Sequence, residues 1–145
     1  MNLIIDRTQA DVNRVKQIAA KGKAGTWTAE EQAEWAAGMK GAYNYTDFNR
    51  VESAVAELAE ILGVTVETAA MWDVRSVPTL ADTQRYLANI RRLKRKCAGL
   101  GRTPPVPESM ARMTYQTAND IEKILVDIEA AINAWTRSGE IYCGE

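Results

Sequence analysis

Residues 46–63, Thr-Asp-Phe-Asn-Arg-Val-Glu-Ser-Ala-Val-Ala-Glu-Leu-Ala-Glu-Ile-Leu-Gly, carry the clearest periodic pattern in the chain. Apolar side chains recur there at alternating steps of three and four, which places them on one face of an α-helix. They are Phe48, Val51, Val55, Leu58 and Leu62, with Ile61 beside them. Thr46 stands where a helix can start, Asp47 suits the first turn, and Gly63 supplies a left-handed stop. We therefore predict an amphipathic helix that buries one face.

Two segments further along the chain repeat this helical period. The fourth predicted helix carries Tyr86, Ile90, Leu93 and Cys97 on one side and ends near Gly99 and Gly101. The fifth carries Ile121, Ile124, Ile128, Ala131 and Trp135, broadened by Leu125 and Ile132, and stops at Gly139. Both patterns indicate faces that are buried against other helices.

Two smaller helices are predicted before residue 46. The first has a narrow apolar face, made of Val12, Val15, Ile18 and Ala19, and ends at Gly22. The second is short and alanine-rich, from about Gln32 to Ala37, with Trp35 as its anchor. Their narrow faces could dock on the other helices or on a partner.

Threonine followed three residues later by an acidic residue recurs along the chain and is typical of a capping box at a helix start. The pairs are Thr8/Asp11, Thr28/Glu31, Thr79/Asp82 and Thr117/Asp120. Thr46 is a fifth predicted start, without an acidic partner because Asn49 stands three residues on.

The connecting segments complete the predicted fold. Residues 102–108 contain three prolines and must be extended, as an ordered strap or a linker. For residues 64–77 we predict no regular secondary structure. The final residues, with Glu140, Ile141 and Tyr142, favour an extended tail that could pair with another chain. We predict a mainly α single domain over 1–145, a compact bundle of about five helices. Its parts are a helical pair and glycine-rich corner (1–44), central helices (45–101), a proline-containing connector (102–116), and a last helix with its tail (117–145).

Composition narrows the function classes. Eighteen basic and nineteen acidic residues give a net charge of -1, so no global field attracts nucleic acid or an anionic membrane. No apolar run approaches a membrane span, histidine is absent, and Cys97 and Cys143 suggest two free thiols rather than a disulfide. We therefore expect a protein without a membrane segment and without catalytic, cofactor-binding or metal-ligating residues, hence no enzyme.

Three groups of residues invite a functional interpretation. The basic run Arg91, Arg92, Arg95 and Lys96 could contact phosphate, although cations at the end of a helix are also favoured by its dipole. The glycines of residues 38–44 lack the P-loop pattern and indicate a helix–helix corner instead. The aromatic residues around that corner, Trp35, Tyr43 and Tyr45, suit core packing, with a stacked host-surface carbohydrate as the alternative.

The corner and third helix also carry a motif. It consists of Trp35, Gly38, Lys40, Gly41, Tyr43, Asn44, Thr46, Asp47, Asn49, Arg50 and Glu52. This motif resembles small structural proteins of tailed bacteriophages and prophages, chiefly of Gram-positive hosts, and the similarity continues along the chain to Tyr142. Phe48 stands where that family often has Leu, and Cys143 replaces a small residue.

The resemblance implies a virion component without an active site, in the tail fibre, tail tip or baseplate region. It implies partners among other phage structural proteins, in a homo- or hetero-oligomer, and a virion location after assembly in the bacterial cytoplasm and release by lysis. A nucleic-acid-binding or packaging-related helical protein that uses the run from Arg91 to Lys96 remains an alternative, as does a host-carbohydrate-binding module.

Overall fold

The computed structural model describes residues 1–69 and 71–138. This part of the chain is compact and mainly helical, without a β-strand, and it contains five helices. They are α1 (Gln9–Ala24), α2 (Ala29–Ala36), α3 (Tyr45–Leu62), α4 (Leu80–Lys96) and α5 (Tyr115–Ser138). The predicted fold class is thus confirmed at the level of a five-helix domain. The predicted stop at Gly139, the tail with Glu140, Ile141 and Tyr142, and Cys143 lie outside the described residues.

Three of the predicted helix starts are found where the sequence pattern put them. The Thr79 N–H donates to Asp82 Oδ2 at 2.8 Å, and the Asp82 N–H donates to Thr79 Oγ1 at 3.1 Å. At the start of α1 the Thr8 N–H donates to Asp11 Oδ2 at 2.8 Å. Thr28 Oγ1 accepts from the Glu31 N–H at 3.1 Å. These bonds satisfy backbone groups that the first turn of a helix leaves unpaired.

Two predicted starts are wrong. Asn44, not Thr46, caps α3, because its Oδ1 accepts from the Thr46 N–H while its own N–H donates to Asp47. Thr117 lies inside α5, where its N–H donates to Thr114 Oγ1. Both errors have one physical origin. Asparagine and threonine are both good cap residues, so a sequence with two of them within three positions allows two registers.

The core consists of α3, α4 and α5, which all run in the same direction. Phe48, near the start of α3, and Tyr86, in the first half of α4, have ring centroids 5.1 Å apart. Arg50 Nε donates to Glu122 Oε1 at 2.7 Å, which brings the starts of α3 and α5 together as well. Parallel neighbours require connections that return along the whole helix.

Two segments whose described residues are non-helical supply these return connections, and we call residues 63–69 with 71–79 the first strap and residues 97–114 the second strap. In the first strap the Ala69 N–H donates to Glu52, and further along the strap the Trp72 N–H donates to Asn49, one turn earlier in α3. Successive strap residues therefore contact successively earlier helix residues. An 18-residue helix is about 27 Å long, a distance that about eight extended residues cover, so both straps are long enough.

The second strap runs back along α4 in the same way. Lys94 Nζ donates to the carbonyl of Pro104 at 2.8 Å, and Arg91 Nη2 donates to the carbonyl of Pro107 at 2.9 Å. The three prolines cannot donate backbone hydrogen bonds, but their carbonyls can still accept. Basic side chains of α4 thus hold the proline-containing segment against the bundle.

The buried face predicted for each core helix forms one continuous cluster. Its fully buried members include Val51, Leu58, Ile90, Leu93, Ile121, Ile124, Leu125 and Ile128. The helices α1 and α2 form a separate pair, in which Trp27 Nε1 donates to the carbonyl of Ile18 and the Trp27 ring lies 5.7 Å from the Trp35 ring. Among the helices in this part of the chain, none combines the length and the apolar character that a membrane crossing needs.

Candidate functional site

The predicted corner between α2 and α3 is folded by Asn44. Its Nδ2 donates to the carbonyls of Met39 and Ala42, at 3.1 and 2.7 Å, while its Oδ1 caps α3. Gly38 has a φ of 87°, a conformation that favours glycine. Gly41 lies so close to α1 that an added Cβ would stand 2.2 Å from the carbonyl oxygen of Asp11. The corner is thus fixed to α3 by Asn44 and lies against α1 at Gly41.

A buried ionic cluster lies directly behind the corner and joins three parts of the chain. Arg7 Nη2 donates to Asp47 Oδ1 at 2.8 Å and to Glu122 Oε2 at 2.6 Å. Arg50 pairs with the same two carboxylates. Glu122 is fully buried and also accepts from the Ile4 N–H at 2.9 Å. Two cations and two anions balance, which is the condition for burying such charges at acceptable cost.

The surroundings of this cluster are apolar enough to shift pKa values. Burial and the neighbouring carboxylates raise the pKa of Tyr43, whose hydroxyl hydrogen-bonds that of Tyr86. Burial also raises the pKa of Tyr86. For Arg50, burial opposes the charge, but hydrogen bonds to Glu122 and Asp47 outweigh it and raise its pKa. The two tyrosines therefore stay neutral and Arg50 stays charged at physiological pH.

A second polar cluster ties the first strap to α3 and α4 through Glu52. Its carboxylate accepts from Trp72 Nε1 at 2.6 Å and from Arg85 Nη1 at 2.5 Å. Asn49 forms two bonds with the Trp72 backbone, at 2.7 and 2.8 Å. Asn89 Nδ2 donates to the carbonyl of Glu67 at 2.8 Å. The motif residues Asn49 and Glu52 are thus engaged in holding the first strap.

Sequence reasoning found the motif side of both clusters but missed the partners. Arg7 and Trp72 were not singled out, and Asn119 and Glu122 were named only as residues through which the resemblance continues, although each provides buried or half-buried contacts. Arg7 precedes the first helix, where charge is usually solvated, and Glu122 looks like one of many helical carboxylates. Beyond the resemblance, a signal for Glu122 is its position directly after Ile121, which lies on the apolar face of α5.

An exposed apolar strip runs along the second half of the first strap into the start of α4. It consists of Met71, Val74, Val77 and Leu80, which are 90%, 69%, 83% and 70% exposed. Isolated apolar side chains on a surface are ordinary, but four within ten residues form a feature that marks many interaction surfaces. This strip was not predicted, because residues 64–77 showed no period.

Beside the strip lies a groove of about 220 Å³ that includes Trp35, Tyr45 and Val74. Trp35 is 41% exposed, and the Tyr45 hydroxyl donates to the carbonyl of Ala36. Tyr43 does not belong to this groove, because it packs inward against Phe48, with ring centroids 5.2 Å apart. The aromatic trio considered for carbohydrate stacking is therefore divided between the core and the surface.

The basic run at the end of α4 is also divided. Arg91 holds the second strap, Arg92 and Arg95 are exposed, and Lys96 is half-buried. Arg92 lies 3.5 Å from Asn89 Oδ1. Cys97 follows with a buried thiol whose pKa is raised by burial. Phosphate contact by this run stays a prediction.

Acidic and sulfur side chains do not converge on a metal-binding arrangement within residues 1–69 and 71–138. Comparison of the chain with protein-family models, with curated protein sequences and with solved structures found no match.

Proposed function

We propose that this protein is a non-enzymatic structural component of a tailed-phage virion, in the tail fibre, tail tip or baseplate region, that acts by assembly with neighbouring subunits. The single observation that carries the assembly role is the exposed apolar strip of Met71, Val74, Val77 and Leu80. Burying such side chains at an interface contributes roughly 25 cal/mol per Å² of apolar surface. The place in a phage particle rests on the resemblance of the corner motif.

The use of the motif residues supports a structural role. Asn44 and Asp47 cap α3, Asn49 and Glu52 hold the first strap, and Arg50 belongs to the buried ionic cluster. A residue whose polar atoms are engaged in the fold is poorly placed to contact a substrate. The motif therefore specifies a scaffold, and the outward-facing strip is left for contact with a partner.

Near-zero net charge also favours assembly. With a formal charge of -1, neighbouring copies do not repel one another over long distances. The strip residues lie within ten positions of one another, and Asn49 binds the backbone of Trp72 beside them, so this part of the strap is anchored before a partner arrives. An anchored surface loses less conformational entropy on binding than a flexible one.

Size-exclusion chromatography with light scattering tests the assembly role. The wild-type chain should form species larger than its monomer mass of 16.1 kDa. Val77→Lys, which places a charge in the strip, should shift it to the monomer. Ile61→Lys is the matched control, because Ile61 is 58% exposed but does not belong to the strip and lies near the C-terminal end of α3.

Mass spectrometry and antibody labelling of purified phage particles test the location. Peptides of this chain should be present in particles from a bacterial strain that carries the gene, and labelling should be confined to the tail. A chain that is strictly monomeric and absent from the particles would overturn the proposal.

A further inference from the structure

The segment that carries most of the exposed apolar strip is symmetric about Val74. The seven residues centred on Val74 read Met-Trp-Asp-Val-Arg-Ser-Val. Met71 and Val77, three positions away on either side, are both apolar and are 90% and 83% exposed. Trp72 and Ser76, two positions away on either side, are both half-buried. The order of exposed and half-buried residues is thus the same in both directions from Val74.

The two residues next to Val74 carry opposite charges. Asp73 precedes it and Arg75 follows it, and both are exposed. The Arg75 N–H donates to Asp73 Oδ1 at 2.8 Å, and the Ser76 hydroxyl donates to the same oxygen at 3.1 Å. The Arg75 guanidinium takes part in no ion pair within residues 1–69 and 71–138. The segment therefore presents an anchored carboxylate and a cation that a partner can bind.

A two-fold axis at Val74 makes this segment complementary to itself. In a two-fold contact between identical surfaces, residue i of one copy meets residue j of the other, and j meets i. When the two segments run antiparallel across the axis, Asp73 of each copy faces Arg75 of the other, and Met71 faces Val77. Every charge then meets its opposite, and apolar side chains meet apolar side chains.

The exposed apolar area at the strip agrees with what a stable dimer needs. The four strip residues and Trp35, which lines the groove beside Val74, together expose on the order of 500 Å² of apolar surface. A typical interface buries about 800 Å² on each partner, of which roughly 65% is apolar in homodimers. The strip and Trp35 therefore supply the apolar area of one such interface.

We propose that the strip pairs with the same strip of a second copy of this chain, across a two-fold axis at Val74, with Asp73 of each copy in contact with Arg75 of the other. This inference rests on the proposed assembly role and specifies its partner and its symmetry. Burial of the apolar side chains supplies most of the binding free energy. The two ion pairs select the antiparallel arrangement, because a parallel one would bring Asp73 against Asp73.

Exchanging charges between two variants tests this contact. Arg75→Glu should weaken self-association about tenfold, because Asp73 would then face a carboxylate of the second copy. Asp73→Lys should weaken it similarly, because Arg75 would face an ammonium group. An equimolar mixture of the two variants should associate as tightly as the wild type, since each chain carries the charges that the other lacks. Sedimentation velocity over a range of concentrations measures each Kd.

Arg95→Glu is the matched control for these measurements. It makes the same change in net charge as Arg75→Glu, but Arg95 is an exposed residue near the C-terminal end of α4, whereas the strip ends at the start of that helix. The Arg95→Glu chain should self-associate as the wild type does. Its mixture with Asp73→Lys should not restore wild-type association, which excludes a general effect of net charge.

The outcomes distinguish this inference from the assembly role. Recovery only in the mixture of Arg75→Glu with Asp73→Lys supports the two-fold contact. Self-association that is unchanged in both single variants, or weakened without recovery in their mixture, would overturn it, even where Val77→Lys gives a monomer and so supports the strip as the assembly surface. A wild-type chain that is monomeric alone but joins a different tail protein through the strip would also overturn it, while the assembly role stands.

Discussion

Replacing Glu122 by Gln should remove much of the stability of the domain. Glu122 is fully buried and accepts four hydrogen bonds, from the Ile4 N–H, from Arg7 Nη2 and from Nε and Nη2 of Arg50. The change keeps the side-chain volume but leaves the buried guanidinium of Arg7 and the half-buried guanidinium of Arg50 facing one carboxylate, that of Asp47. Breaking a buried ion pair on one side costs about 3–5 kcal/mol.

This loss is large compared with the free energy of unfolding of typical domains, which is about 5–15 kcal/mol. For a chain of this size it corresponds to a decrease of about 10 °C or more in the melting temperature. Urea unfolding followed by tryptophan fluorescence and circular dichroism measures the change, and an unchanged m-value would show that the unfolded state is the same.

Glu34→Gln is the matched control for this measurement. Glu34 also pairs with an arginine, Arg14, at 2.9 Å, but both side chains are well exposed. Water and salt screen such pairs, so the control should behave almost as the wild type. If the free energy of unfolding of Glu122→Gln also lies within about 1 kcal/mol of the wild-type value, the buried cluster does not hold the N-terminal segment, α3 and α5 together.

Two further predictions concern the corner and the tyrosine pair. Gly41→Ala should destabilise the fold by about 1–3 kcal/mol, because its Cβ would meet the backbone of Asp11; Gly101→Ala, whose Cβ meets nothing within 4 Å, is the control in the same urea assay, and equal stability of the two variants would contradict the close approach. Because the pKa values of Tyr43 and Tyr86 are raised in the folded chain, their contribution to stability is complete below about pH 10 and is lost as the pH rises above it. Their phenolate absorbance at 295 nm should therefore appear only with loss of the helical circular dichroism signal, and phenolate formation by this pair in a fully helical chain would refute the assignment.

The helices could be predicted because the apolar residues of each buried face are only three or four positions apart in the sequence. Leu58 of α3, Leu93 of α4 and Ile128 of α5 each belong to a set of apolar residues that recurs with the helical period within its own helix. All three are fully buried. The start at Thr79 was also correct, because a capping box involves only residues three apart. Local signals of this kind do not depend on what the rest of the chain does.

The relative direction of the helices could not be predicted. A connection such as residues 63–79 can end beside either end of the next helix, and only contacts across the chain decide which. Here the decision lies in Trp72, which packs on Phe48 with ring centroids 5.4 Å apart, and in its bonds to Asn49. A single tryptophan in an irregular segment has no period that would reveal its partner.

The candidate sites were only partly predictable for the same reason. Asp47 and Arg50 could be named as a motif, but their buried partner Arg7 is 40 residues from Asp47. The apolar strip was missed because exposed and buried apolar residues look alike in a segment without a helical or strand period. In the second half of the first strap the Trp72 side chain is half-buried and the Val74 side chain is exposed. This difference depends on the path of the backbone and not on a period in the sequence.

The two clusters suggest where such a scaffold can change without losing its fold. The motif residues of α3 are bound to partners in the N-terminal segment, α5 and the first strap, so each can change only together with its partners. Met71, Val74, Val77 and Leu80 contribute little to the core, because most of their surface is already in water in the isolated chain. Substitutions there leave the folding energy nearly unchanged while they alter which surface the domain can contact. A fold held by the motif and an exposed strip that is free to vary suit the proposed assembly role.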